Sequence, residues 1–198
     1  MKAVLFVEGG GTGSARECRR AFVKLLVSAG FDQSKLDVIA CGSRGNVFRD
    51  FQKRCNQAGK HDFVCMLIDS EGEVSDSSKP WIHLRQQDNW VQPSHVENDQ
   101  VFLMTRCMEA WLLADVQTLK EHYSRIGQKN LSSDPDHLET ISPKELLKTL
   151  LKATEKCSPP YSKGEQSFLL LAKINPIALK QLGSYDRMER ILKNRLIS

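Results

Sequence analysis

The fold is decided by residues 2–14, which read KAVLFVEGGGTGS. Apolar strand formers at 2–7 end abruptly at Glu8 and a glycine-rich segment, after which apolar residues recur at helical spacing. This order predicts a buried strand, a tight turn and a helix, the repeating unit of a parallel α/β sheet. Glycines make such a turn permissive, and their amides lie at the N-terminus of the helix.

A second stretch, residues 63–73, has the same form and reads FVCMLIDSEGE. An apolar run again stops at a carboxylate, here Asp69. Parallel strands end at one edge of a sheet, and the ligands of open α/β sheets bind at that edge. We therefore expect Glu8 and Asp69 to lie close together at a ligand site.

The acidic residues that follow the second stretch extend this expectation. If the segment is extended, alternate residues point the same way, so Glu71 or Glu73 would join Asp69. Crowded carboxylates repel one another unless a divalent cation neutralises them. Ligands that are all oxygen favour Mg²⁺ or Mn²⁺ over zinc. We predict a magnesium-type site with Glu8, Asp69 and Glu71 as metal ligands.

Alternating strand and helix patterns over residues 1–126 predict an α/β fold, a Rossmann-like short parallel sheet flanked by helices. The predicted strands are 2–7, 36–40, 62–68 and 101–104, and the predicted helices of this part are 14–29, 45–58, 80–86 and one from 108. After a linker or loop at 127–142, we expect residues 143–198 to form a helical C-terminal part packed on the same domain. Its predicted helices are 143–155, 164–173, 176–182 and 184–196.

Charge is distributed unevenly along the 198 residues, whose formal net charge is +4. Residues 141–198 hold eleven Lys or Arg against five Asp or Glu, so the preceding residues carry a net negative charge. An acidic front and a basic rear suit an enzyme that holds a metal with one part and a polyanion with the other. Basic side chains that only solvate helix surfaces would give the same numbers, so both interpretations stay open.

Residue usage disfavours several classes of protein. The six cysteines have neither a C-x-x-C pair nor zinc-ligand spacing, which is typical of reduced thiols in a cytosolic protein. The five histidines have no metal-ligand spacing. No apolar stretch approaches the roughly 20 residues of a membrane span, and the first strand does not have the form of a signal peptide. We expect a cytoplasmic protein with no membrane partner.

The glycine-rich segment at 9–13 is compatible with more than one function. It lacks the lysine of a Walker loop and the third glycine of a dinucleotide-binding loop. It resembles the phosphate loop of the tubulin and bacterial-division GTPases, so a GTP-binding protein is one alternative. In the simpler interpretation it is a strand-to-helix turn in which Gly11 and Thr12 hold a phosphate of a nucleic-acid substrate. Arg44, at the end of the second predicted strand, is a further candidate phosphate contact.

The carboxylate pattern resembles the Toprim domain of topoisomerases, primases and the overcoming-lysogenization-defect (OLD) nucleases. That family has a Glu after its first strand and an Asp-x-Asp pair after its third. This chain has Glu8, Asp69 and, in place of the second Asp, Glu71. The closest similarity is to the Toprim-like family called domain of unknown function 4276. Four segments carry it: VEG at 7–9, DSEG at 69–72, MEAWLLAD at 108–115 and YSKGE at 161–165.

This resemblance implies a small bacterial protein that acts with a partner ATPase in defence against phage. It also supports Glu109, in the third segment, as a metal ligand or general base beside Glu8 and Asp69. Together with the predicted metal site it indicates a Mg²⁺-dependent nuclease that hydrolyses phosphodiesters of DNA or RNA, with Lys163 neutralising phosphate charge. The alternative from a different class is a catalytically silent Toprim-like interaction module. Whether the chain forms a homo-oligomer stays open.

Overall fold

The computed structural model describes residues 1–11, 13–57, 62–127, 129, 131 and 134–196. The strands are β1 (Lys2–Val7), β2 (Leu36–Ala40), β3 (Asp62–Asp69) and β4 (Val101–Met104). The helices before residue 127 are α1 (Ala15–Ser28), α2 (Arg44–Gln57), α3 (Pro80–Asp88), α4 (Met108–Ala114) and α5 (Val116–His122). Those after it are α6 (Pro135–Leu138), α7 (Pro143–Thr154), α8 (Glu165–Leu171), α9 (Pro176–Leu179) and α10 (Gly183–Leu196).

The strands form one parallel sheet in the order β2-β1-β3-β4, which confirms the predicted α/β fold. The two central strands are apolar almost throughout, because helices cover both faces of the sheet. Successive side chains of β1 alternate between the faces: Leu5 and Val7 pack on one side, Val4 and Phe6 on the other.

Two apolar clusters fill the space between the sheet and its helices. The first cluster joins one face of the sheet to α1, α4, α7, α8 and α10, and includes Leu5, Phe22, Trp111, Leu146, Phe168 and Tyr185. The second cluster joins the other face to α2 and α3, and includes Phe6, Val47, Phe51, Trp81 and Leu84. The larger cluster thus contains residues from both the first part of the chain and the C-terminal helices.

Two details differ from the expectation. The stretch 127–142 is not only a loop, because it contains α6, and Leu138 of that helix is buried in the first cluster. The predicted helix from 108 ends at Ala114 as α4, and a further short helix, α5, begins directly after Asp115. Asp115 Oδ1 accepts the Thr118 N–H at 3.0 Å, and its Oδ2 accepts the Asn175 N–H at 2.8 Å. The buried Asp115 carboxylate therefore caps α5 and ties it to the start of α9.

Candidate metal centre

Glu8 and Asp69 meet at the carboxyl edge of the two central strands. The register pairs Val7 with Leu67, and the Glu8 N–H continues the ladder by donating to the Leu67 carbonyl at 3.0 Å. The Asp69 N–H donates to Glu8 Oε2 at 3.2 Å. Strand pairing therefore fixes the Glu8 carboxylate beside the residue that ends β3.

Asp69 is also joined to the start of α4. The Met108 N–H donates to Asp69 Oδ1 at 2.9 Å. From the residues that the structure describes, Asp69 Oδ2 accepts no hydrogen bond. Glu109 follows Met108 in the first turn of α4 and is only 2% exposed. The helix after β4 thus adds a third carboxylate to the same edge of the sheet.

Two side chains of the C-terminal part hold the Glu109 carboxylate. The Tyr161 hydroxyl donates to Glu109 Oε1 at 3.0 Å, and Lys163 Nζ lies 3.4 Å from the same oxygen. The Tyr161 hydroxyl is also 2.9 Å from Ser167 Oγ. Sequence reasoning gave no role to Tyr161 or Ser167, because they are remote from Glu109 along the chain. The YSKGE segment was the one signal that could have drawn attention to them.

The charges of these groups perturb one another. Burial raises the pKa of Asp69 well above its usual range, and Glu8 and Glu109 raise it further. The pKa of Glu8 is also raised by burial, although Arg44 lowers it. Burial lowers the pKa of Lys163, but the combined effects of Glu109, Cys107 and Asp69 exceed it, so the net shift is upward. The raised pKa values of Asp69 and Glu8 mean that a further cation at this edge would stabilise their charged forms.

The space in front of the carboxylates is a cavity of about 240 Å³, called here the carboxylate pocket. Its lining includes Glu8, Gly9, Gly10, Gly11, Asp69, Met108, Glu109, Lys163 and Phe168. Gly10 has φ +72°, and a Cβ there would lie 2.7 Å from Ala15 Cα, so no side chain fits. The glycine turn therefore brings bare backbone to the pocket. Of the two predicted phosphate contacts in this turn, Gly11 lines the pocket and Thr12 lies outside the described residues.

Glu71 is placed differently from Asp69. Its φ of 58° lies in the left-handed region, so the segment after β3 turns instead of remaining extended. The Glu71 side chain is exposed and is not part of the pocket lining, although its charge still raises the pKa of Glu8. Glu73 is exposed too, and pairs with Arg106 at 3.8 Å. The premise that alternate residues here point the same way does not hold.

The Arg44 guanidinium donates its hydrogen bonds to other groups of the protein. Its Nε and Nη2 each donate to the Asp88 carboxylate at 2.7 Å, and its Nη1 donates to the Asp69 carbonyl. Nη1 also lies 3.8 Å from Glu8 Oε2, and the guanidinium stacks over Trp90 at 5.4 Å. The side chain, at the first residue of α2, is only 12% exposed, so it braces the strand ends and presents little of its guanidinium to solvent as a phosphate contact would.

The basic C-terminal part is not a single cationic patch. Lys180 and Lys193 both pair with Glu189, which is buried. Arg187 lies under the sheet edge and donates to the Val101 carbonyl at 2.8 Å. Part of the positive excess therefore serves packing, and Lys163 is the lysine of this part that lines the carboxylate pocket.

The donor set suits a hard cation. Over the described ranges, no group of three or more His, Cys, Asp or Glu is arranged to hold a metal ion. The pocket instead offers the adjacent carboxylates of Glu8 and Asp69, with Glu109 already paired to Lys163. Mg²⁺ is commonly held by one or two carboxylates together with water and substrate phosphate. Two oxygen ligands at the strand ends fit that mode of binding.

The sequence model of the family described as Domain of unknown function (DUF4276) matches residues 7–192. The chain belongs to this family. The range matched to DUF4276 contains Glu8, Asp69, Glu109, Tyr161 and Lys163, so the whole carboxylate pocket lies within it. Neither a curated protein nor a solved structure matches the chain.

Among the helices that the structure describes, none is both long enough and apolar enough to cross a lipid bilayer.

Proposed function

We propose that this protein is a Mg²⁺- or Mn²⁺-dependent nuclease that hydrolyses phosphodiesters in the carboxylate pocket. The observation that carries the proposal is the convergence of Glu8, Asp69 and Glu109 on one pocket at the carboxyl edge of the sheet. Glu8 and Asp69 each come from the end of a central strand, and both have raised pKa values. Such crowding is unfavourable without a cation and becomes favourable with one.

Each group of the pocket has a role in this proposal. Glu8 and Asp69 would hold the cation, which when bound polarises the scissile phosphate and lowers the pKa of water. Lys163 and the amides of the glycine turn would neutralise and orient phosphate oxygens. Glu109, whose Oε1 accepts the Tyr161 hydroxyl and lies 3.4 Å from Lys163 Nζ, would act as the general base.

The biological setting is proposed from the resemblance to Toprim-like proteins and OLD nucleases. It favours an effector in bacterial anti-phage defence that acts with a partner ATPase. The parallel sheet and the carboxylates at its carboxyl edge are compatible with that relationship. Either DNA or RNA could supply the phosphodiester.

A catalytically silent Toprim-like module is the alternative, and one contact favours it. Lys163 Nζ lies 3.4 Å from Glu109 Oε1, so the protein places its own cation in the pocket. Arg44 likewise lies 3.8 Å from Glu8. In a silent module these two cations would be the permanent partners of the carboxylates, and the pocket would serve binding alone.

Metal binding separates the two functions. We expect calorimetric titration with Mn²⁺ to detect binding to the wild type and none to Asp69→Ala, because the variant loses one of two adjacent ligands. Cleavage of labelled DNA and RNA oligonucleotides should fall at least about a hundredfold in the variant, since the metal supplies several kcal/mol of charge stabilisation. Asp37→Ala, on the neighbouring strand β2 and outside the pocket, is the control and should leave both unchanged.

The possible outcomes are distinct. Equal Mn²⁺ binding by the wild type and Asp69→Ala would exclude the site. A wild type that binds Mn²⁺ at Asp69 and cuts neither DNA nor RNA would favour the silent module.

A further inference from the structure

A second cavity lies beside the carboxylate pocket, between α1 and α8. This α1–α8 groove has a volume of about 190 Å³ and is lined by Arg20, Lys24, Phe168, Leu169, Ala172 and Lys173 among others. Phe168 also lines the carboxylate pocket, and its ring lies 3.3 Å from where a Cβ on Gly9 would stand. The two cavities therefore share a wall and are neighbours on one side of the protein.

The groove lining has three cations, Arg20, Lys24 and Lys173, against two carboxylates. Arg20 and Lys24 are exposed and one helical turn apart, and within the described part of the chain neither forms an ion pair. Two carboxylates, Glu17 and Glu165, also line the groove, so cations outnumber anions there.

Lys173 has an unusual neighbour for a lysine. Its Nζ lies 3.0 Å from His122 Nδ1, and no carboxylate of the described residues forms an ion pair with it. Burial lowers the pKa of His122, and the Lys173 charge lowers it further. A bound anion would therefore find cationic partners on both walls of the groove.

The floor of the groove is apolar. Leu169 is 44% exposed although it is a large aliphatic residue, and Phe168 and Ala172 line the groove with it. An apolar floor between cationic rims is the arrangement that binds a single strand, since bases contact the floor and phosphates contact the rims. Because α1 packs directly on α8, the groove is a small cleft, which suits one strand and its bases better than a double helix.

We propose that the α1–α8 groove binds a single strand of nucleic acid whose scissile phosphate lies in the carboxylate pocket. The naming of nucleic acid as the occupant rests on the proposed function. The charges at its rim, its apolar floor and the wall that it shares with that pocket support the groove as a binding surface independently of that function.

The test compares two double variants that remove the same charge from two exposed helix surfaces. Arg20→Ala/Lys24→Ala removes the rim of the groove, whereas Lys148→Ala/Lys152→Ala removes an exposed pair with the same spacing on α7. Binding of fluorescein-labelled single-stranded DNA and RNA is followed by anisotropy in chelator over a range of salt concentrations. The groove variant should bind about tenfold more weakly, with a salt slope shallower by about 1.4, or about 0.7 for each lost phosphate contact.

A third variant examines the floor. Leu169→Ser should weaken single-strand binding while leaving the salt slope unchanged, because it removes apolar contact and no charge. Thermal melting of each variant checks that the fold is retained, which exposed substitutions should permit.

The results also separate this inference from the proposed catalysis. Equal losses in the two double variants, tighter binding of duplex than of single strands, or no strand binding by the wild type would overturn the groove. Binding of an acidic peptide that depends on Arg20 and Lys24 in place of nucleic acid would overturn it as well. Groove-dependent strand binding without cleavage by the wild type would leave the groove standing and overturn only the nuclease.

Discussion

At the scale of the residue, Asp69 is the described carboxylate whose pKa is raised most strongly. It ends a buried strand, contacts the start of α4, and lies near Glu8 and Glu109. Ligand sites often retain such unfavourable groups, since binding relieves the strain that folding leaves. The pH dependence of the free energy of unfolding should report the cost of the Asp69 charge directly.

Asp69→Asn should stabilise the metal-free protein at neutral pH. The folded state raises the pKa of Asp69 above its ordinary value of 3.8, so its carboxyl carries no penalty below that pH. The penalty develops as pH rises from 3.8 to the raised pKa, because over that range the unfolded chain loses a proton that the folded carboxyl keeps. Above the raised pKa the folded chain holds an unfavourable charge and the penalty is complete. The amide keeps an oxygen for the Met108 N–H, so the variant should be more stable than wild type at pH 7 and equal to it in acid.

Thermal denaturation in chelator, from acid to neutral pH, measures this difference. Asp37→Asn makes the same chemical change on β2 and should show no comparable gain at neutral pH. A destabilised Asp69→Asn at pH 7 would contradict the expectation. Mn²⁺ should then raise the melting temperature of the wild type and leave that of Asp69→Asn unchanged.

Residue spacing predicted part of the site, but not the positions of all its side chains. Glu8 and Asp69 could be placed together because both end apolar runs, and parallel strands share a carboxyl edge. Glu71 could not be placed, since its left-handed backbone is a tertiary outcome of the turn after β3. The contacts of Tyr161 and Lys163 with Glu109 join residues that are far apart in the sequence. No local sequence pattern could predict them.

At the scale of the element, one side chain links four pieces of the sheet and its helices. Arg44 begins α2, bonds the carbonyl that ends β3, approaches the residue after β1 and pairs with Asp88 at the end of α3. Its sequence position, after a strand and before a helix, suggested a ligand contact. The groups that its guanidinium contacts come from three other segments of the chain. The sequence around Arg44 therefore could not indicate them.

Arg44→Ala should destabilise the protein by about 3–5 kcal/mol, because it removes the partner of the Asp88 carboxylate, which is only 14% exposed. Urea denaturation followed by circular dichroism measures the loss. Arg49→Ala is the matched control on the same helix, since the Arg49–Asp50 pair is exposed and should contribute within about 1 kcal/mol. Similar losses from the two variants would mean that Arg44 is an ordinary surface contact.

The elements themselves were well indicated by periodicity. The strands and the longer helices lie within a few residues of their predicted bounds, because long apolar patterns report burial reliably. The short helices were harder to foresee. In α5, the Asp115 carboxylate accepts a backbone N–H of the first turn, and in α6, Leu138 is buried in the first cluster. Neither feature produces a periodic pattern of apolar residues in the sequence.

At the scale of the whole molecule, the C-terminal helices complete the core of the sheet. Trp111 of α4 meets Tyr185 of α10 edge-on, with ring centroids 5.2 Å apart. Both residues lie in the first apolar cluster with β1 and α1. A separate C-terminal unit would leave that face of the sheet exposed, so we expect the chain to unfold in one step.

Tryptophan fluorescence can test this cooperativity on both faces of the sheet. Trp111 reports the first cluster, whereas Trp81 and Trp90 report the second. In urea, Trp111→Phe and the double variant Trp81→Phe/Trp90→Phe should each give a fluorescence midpoint that coincides with the circular dichroism midpoint of the same variant. Separated midpoints in either variant would indicate that the two faces unfold independently.

The crowding at Gly10 gives a criterion for comparing related chains. With φ +72° and Ala15 Cα 2.7 Å from the place of a Cβ, this position excludes even alanine unless the start of α1 shifts. In a relative that has any side chain at the equivalent position, the turn after the first strand must have a different backbone conformation. The carboxylate that follows the first strand would then be placed differently relative to the third strand. Among divergent relatives, that one position therefore distinguishes chains that inherit this architecture at the sheet edge from chains that have rebuilt it.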